Sequence, residues 1–151
     1  MKAPSIDPVH MTELVLPSHT NALGTIFGGV VMSWIDIAAA IAAQRYARGP
    51  CVTVSIDHLH FIVPIKLGNA VRIEAQVSYV GKTSMEIEVE VSAENSFTGE
   101  INPATHAYLT FVAVDKNGKP KPLPPYTPTT AEAKKRFKEA EARRKKRLGS
   151  A

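Results

Sequence analysis

Between Ser84 and Glu94 apolar and acidic residues alternate almost one for one, Met85, Ile87, Val89 and Val91 against Glu86, Glu88 and Glu90. A period of two puts each set on its own face of a β-strand, so one face is buried and the other wet. Looser alternation over "VHMTELVL" (9–16), stopped by Pro17, predicts an earlier strand. "CVTVSIDHLHFI" (51–62), "AVRIEAQVSYV" (70–80) and "ATHAYLTFVAVD" (104–115) predict three more. Turn-forming "KLGN", "GKT", "NSFTGEINP" and "KNGKP" punctuate them. These connections are mostly too short for parallel crossovers, so the strands form an antiparallel sheet.

A different pattern governs the segment between the first two strands. A polar, glycine-rich loop leads into a predicted helix from about Gly29 to about Ala47. Between Val30 and Ala43 only Ser33 and Asp36 are polar. A helix apolar all round is a core helix or a membrane span, and fourteen positions fall short of the roughly 20 a bilayer requires. The predicted class is therefore α+β, one long helix on an antiparallel five-stranded sheet, with no membrane span. One sheet covers only one side of such a helix. Ala38, Ala39, Ala40, Ala42 and Ala43 permit close approach from the other side, and a second copy brought by two-fold symmetry is the natural cover.

Composition adds bounds rather than detail. With 151 residues, 44% hydrophobic and 21% charged, the chain fits one globular domain. Its single cysteine, Cys51, and an N-terminus without an apolar signal region point to the reducing cytoplasm. The net charge of +4 is local: residues 131–151 carry net +6 and residues 1–130 net −2. The expected division is a folded domain over 1–130 and a basic helical tail over 131–151. That tail has Glu132/Arg136, Glu139/Arg143 and Glu141/Lys145 at i,i+4 and no apolar stripe, so it reads as a solvated appendage. A nucleic-acid partner is not expected, because the rest of the chain has no aromatic-plus-basic stacking platform.

"HTNALGTIFGG", "WIDIAAAIAA", "VSIDHLHFIVPIKLGN" and "VGKTSMEIEVEV" resemble, in order and spacing, the acyl-CoA thioesterases of the hot-dog fold, in the branch of bacterial and cytosolic acyl-CoA hydrolases. The resemblance runs from about residue 10 to about 122. It implies one long central helix wrapped by the sheet, dimers whose sheets join into one, and further assembly into hexamers as trimers of dimers. It also implies hydrolysis of fatty acyl-CoA to fatty acid and coenzyme A, with no metal and no cofactor beyond the coenzyme A of the substrate.

Candidate chemistry then centres on Asp36. An ionised carboxylate in an apolar wall is costly unless it is hydrogen-bonded or paired. A helix Asp bonded to neighbouring backbone is the bland reading; the flanking Trp34, Ile35, Ile37 and Ala38 favour function. The resemblance makes Asp36 the general base on water or the nucleophile on the thioester carbonyl. Gly28 and Gly29 open the helix, where unpaired N–H groups and the positive dipole end suit a developing oxyanion. The Gly28 N–H is the expected donor and the Asn21 amide the second contact. A tight turn for the glycines and an Asx-turn for Asn21 remain the structural alternatives. Asp36 lies eight residues beyond Gly28, roughly 12 Å along a helix, so one carbonyl cannot touch both within a chain. Antiparallel helices in a dimer would bring Asp36 of one protomer to Gly28 and Asn21 of the other.

Other positions carry weaker signals. The turn Gly81, Lys82, Thr83, Ser84 matches the segment the resemblance assigns to the coenzyme A phosphates, and an ordinary hairpin turn is its alternative. His58 and His60 share a strand face without a zinc-like set around them, so they read as structural or substrate-lining. His60 and Ile37 depart from residues frequent in the family, the latter removing a second carboxylate. Cys51 reads as packing, and His19 as shaping the loop. A hot-dog hydratase or dehydratase, which would need a histidine near Asp36, and a non-catalytic acyl-CoA sensor are the alternative functions.

Overall fold

The computed structural model describes residues 2–149, so Met1 and the last two tail residues, Ser150 and Ala151, lie outside it. The chain runs β1 (Val9–Leu14), a 3-10 turn (Pro17–His19), α1 (Gly28–Ala47), β2 (Cys51–Phe61), β3 (Ala70–Val80), β4 (Ser84–Asn95), β5 (Glu100–Ala113) and α2 (Ala131–Gly149). The strands form one sheet in the order β1-β3-β4-β5-β2, with every pairing antiparallel. β2 is thus an edge strand. α1 lies on the sheet with Val31, Trp34, Ile35, Ala38, Ala39, Ala42, Ala43 and Tyr46 buried. They meet Ile73, Ile87, Val89, Leu109 and Phe111 in one core, where each large side chain contributes about 1.5–3 kcal/mol by leaving water. On the far side of the helix Met32 and Ile37 stay 38% and 49% exposed. The sheet covers one side of α1, as the pattern required.

β5 begins four residues before its predicted start. "NSFTGEINP" is mostly strand: only a tight turn at Asn95–Gly99 is needed, closed by Gly99 N–H to the Asn95 carbonyl (2.7 Å) with Gly99 at φ +81°. Pro103 lies inside β5 opposite Ser92, at a register shift of the β4–β5 ladder, the kind of irregularity where a strand tolerates proline.

The solvated tail is a correction. Residues 131–149 are helical, yet α2 packs on the outer face of the sheet. Arg143 donates from Nε and Nη2 to both oxygens of Glu86 (3.1 and 2.7 Å), and the Ser78 hydroxyl donates to the same carboxylate at 2.6 Å. Arg136 reaches Glu88 at 3.2 Å and Arg147 reaches Asp57 at 3.4 Å. Phe137 stacks on Tyr79 and Tyr126, and Ala140 is buried. The glutamate face of β4 is therefore wet only at its far end: Glu86 is 3% exposed and Glu88 half-buried, while Glu90 stays exposed.

Candidate active site

Asp36 sits half-buried in the middle of α1, and its Oδ1 accepts a hydrogen bond from the Thr53 hydroxyl at 2.7 Å. A bulge in β2 makes this contact. Thr53 pairs with Phe111 and Ser55 with Thr110, leaving Val54 as the extra residue. Without the bulge, strict alternation from the inward Ile56, opposite the core residue Leu109, would turn Thr53 away from the helix. Sequence reasoning missed Thr53. Its only signal is a hydroxyl in an otherwise apolar run, "CVTV".

The loop before α1 is rigidly bonded. Asn21 Oδ1 accepts from the N–H groups of Leu23 (2.9 Å) and Thr25 (3.3 Å), and its Nδ2 donates to the Thr25 hydroxyl at 2.8 Å. Gly24, at φ +77°, lets the chain turn between them. The Asx-turn expected as the alternative for Asn21 is present, and one of its two amide hydrogens remains for a ligand. His19 accepts from the Leu16 N–H through Nδ1 and sets its ring edge against Trp34, which fixes the loop to the helix. No side chain caps α1 at Phe27. Among the described residues the Gly28 and Gly29 N–H groups have no acceptor, and the Phe61 ring lies where a Gly28 Cβ would meet it at 3.4 Å. The structure therefore brings Asp36 to Thr53 and Asn21 to the helix entrance, with Asp36 eight positions along α1 from Gly28.

The remaining candidates lie elsewhere. Gly81 closes its turn by donating to the Ser84 carbonyl at 2.7 Å, while the Lys82 and Thr83 carbonyls accept from Leu123 and Ala113. Exposed Lys82 projects from an otherwise bonded hairpin. A second β2 bulge carries His58 at φ +58° with its ring edge toward Tyr108, and His60 stands opposite His106. Burial pushes the Cys51 thiol up to about 11, which suits packing rather than nucleophilic work. On the outer face His106 lies between Glu88, 3.3 Å from Nε2, and Glu90, 3.7 Å from Nδ1. The polar contact with Glu88 raises the histidine's pKa above its ordinary 6.5 and holds the Glu88 carboxyl below its ordinary 4.5. The two ring nitrogens face separate carboxylates and Arg136 also reaches Glu88, so the cluster is an ion-pair network, although one ligand atom from each of Glu88, Glu90 and His106 lies within 4.8 Å of the others.

A single long helix gripped by a five-stranded antiparallel sheet is the hot-dog fold. The chain belongs to the thioesterase superfamily, whose family model matches residues 23–98. It is 46% identical over 121 residues to the Bacillus subtilis protein named uncharacterized acyl-CoA thioester hydrolase YkhA, covering 80% of this chain and 70% of that one. A solved hexameric acyl-CoA thioesterase superposes with a TM-score of 0.90 at 44% identity, covering 95% of this chain and 92% of its own. The Staphylococcus aureus acyl-CoA hydrolase, solved with butyryl coenzyme A, coenzyme A and coenzyme A disulfide, matches with a TM-score of 0.85 at 37% identity over 99% of this chain and 93% of its own. That hydrolase has also been solved as alanine variants of an asparagine, of an aspartate 15 positions later and of a threonine 17 positions beyond. Asn21, Asp36 and Thr53 stand at the same spacing here.

Proposed function

We propose that this chain hydrolyses fatty acyl-CoA to a free fatty acid and coenzyme A. The observation that carries the reading is the Thr53–Asp36 bond, a carboxylate in an apolar helix held in one orientation by a neighbouring strand. Asp36 either takes a proton from water as that water attacks the thioester carbonyl, or attacks the carbonyl itself. The Gly28 N–H and the remaining Asn21 amide hydrogen receive the charge that develops on the carbonyl oxygen. Gly29, without a side chain, leaves the acyl group room to approach. The thiolate of coenzyme A leaves and is protonated, and only the chain's own groups and water take part, without metal or organic cofactor.

The roughly 12 Å of helix between Gly28 and Asp36 makes the site composite. Asp36 and Thr53 of one protomer work with Asn21 and Gly28 of a second, in a dimer that covers the exposed face of α1 and continues the sheet across β2. The hexameric relatives support three such dimers, and the cytoplasm is the compartment this reading gives the enzyme. Gly81, Lys82, Thr83 and Ser84 contribute to holding the coenzyme. The decisive variant is Asp36→Asn: thiol release from acyl-CoA should fall on the order of 10²- to 10⁴-fold while coenzyme A still binds. A folded Asp36→Asn protein with wild-type turnover removes Asp36 from the mechanism.

A further inference from the structure

The outer face of the sheet holds side chains suited to a metal ion that the hydrolysis of a thioester does not use. β4 carries Glu88 and Glu90 two residues apart, so both leave the same face, and β5 sets His106 directly opposite Glu90. One ligand atom from each of the three lies within 4.8 Å of the others. Glu88 Oε1 stands 3.3 Å from His106 Nε2. In a tetrahedral zinc site, bonds of about 2.0–2.1 Å put neighbouring ligand atoms about 3.3 Å apart, so this pair already has the spacing of two ligands. Only Glu90 has to move, and its side chain, 66% exposed, is free to swing.

Three features separate the group from a chance cluster of acids. His106 Nε2 is closed off from solvent yet has no hydrogen-bond partner among the described residues, its contact with Glu88 having the distance of an ion pair without the geometry of a hydrogen bond. A buried polar atom left in that state calls for an ion, a water or a ligand. Tyr108 sets its ring against the imidazole, 4.8 Å between centroids, and limits its rotation. Arg136 takes Oε2 of Glu88, which leaves Oε1 turned to the histidine; carboxylates that bind metals are commonly held by an outer partner in this way. As an ion-pair network the group is only half balanced: Arg136 offsets one carboxylate, and the other depends on a proton on His106. A divalent cation in that proton's place answers the ring nitrogen and both carboxylates at once.

We infer that Glu88, Glu90 and His106 bind a divalent ion of the zinc class, with water in the fourth position. The imidazole selects such an ion over Mg²⁺ and Ca²⁺, which take oxygen ligands. α1 and Asp36 lie on the opposite face of the sheet, so the ion takes no part in hydrolysis; it ties β4 to β5 beside α2.

The test is a calorimetric titration of Zn²⁺ into tag-free protein stripped of metal with EDTA and dialysed. One ion should bind per protomer. His106→Gln removes a ligand and should weaken binding by more than the roughly 10- to 100-fold that loss of an outer partner costs, and Glu90→Gln, at an exposed position that the fold tolerates, by about tenfold or more. His10→Gln removes the other histidine–glutamate pair of this face, 3.7 Å from Glu74, and should leave binding unchanged. Zn²⁺ should also raise the Tm of the wild type and not that of His106→Gln. No saturable binding overturns the site, as does binding that survives both ligand variants. An equal loss in His10→Gln overturns it in favour of surface histidines in general, and Mg²⁺ binding as tightly as Zn²⁺ in favour of an acidic patch alone.

Discussion

A hydroxyl donating to a carboxylate oxygen aims the remaining lone pairs of that carboxylate in one direction. Thr53 does this for Asp36, so its loss should disturb orientation while leaving the carboxylate in place. Thr53→Ala should lower kcat by roughly 10- to 100-fold, the rate equivalent of one hydrogen bond to a charged group. Thr53→Ser, which keeps the donor, should recover most of that loss; equal defects in both would assign Thr53 to packing instead. Asp36 was legible in the sequence because a carboxylate is conspicuous among Trp34, Ile35 and Ile37. Thr53 was not, because the direction of its side chain depends on the bulge at Val54, and no pattern of residue types announces a one-residue slip in a strand.

α2 shows where hydrophobic periodicity stops informing. Arg136, Ala140, Arg143 and Arg147 recur at i, i+4, i+7 and i+11 and form one face of the helix, but its three arginines are cationic, and their complement is Glu88 and Glu86 of β4 and Asp57 of β2. The fold of residues 9–113 was read closely from apolar spacing. The docking of α2 was not, because charge matching between distant segments leaves no local period. Arg143→Ala strands a buried carboxylate at Glu86 and should cost about 3 kcal/mol in urea unfolding at fixed protein concentration, whereas Lys138→Ala, on the exposed face, should stay within about 0.5 kcal/mol. The His106–Glu88 pair adds a pH signature. A histidine with a raised pKa stabilises the fold below its ordinary 6.5, and that contribution is lost as pH rises through the folded value. A glutamate with a lowered pKa contributes above its ordinary 4.5 and loses the contribution as pH falls through the folded value. The Tm difference between wild type and His106→Gln should therefore be largest between 4.5 and 6.5 and shrink toward alkaline pH; a flat difference would show that charge plays no part.

At the scale of the whole molecule the question is whether one chain holds a complete site. Asn21→Ala and Asp36→Ala proteins, each inactive, can be unfolded together, mixed in equal amounts and refolded. If the residues meet across the dimer, half the dimers are mixed and each has one intact site, so activity should return to roughly a quarter of wild type. If they meet within a chain, every site keeps one lesion and mixing restores nothing, provided a mass tag confirms subunit exchange.

β2 gives this arrangement a cost in time. It bears Thr53 and pairs on one side only, with β5, while Val52, Val54 and Phe61 stand exposed along it. An unpaired edge with apolar side chains accepts whatever extended chain arrives first, a correct partner or a misfolded one. In the proposed dimer, meeting the correct partner is second order in protomers, so each newly synthesised chain would stay adhesive for a period that lengthens as its own concentration falls. Dilution, which spares most proteins from clumping, prolongs the hazard for this one, and a concentrated stock should keep its activity on storage longer than a dilute one.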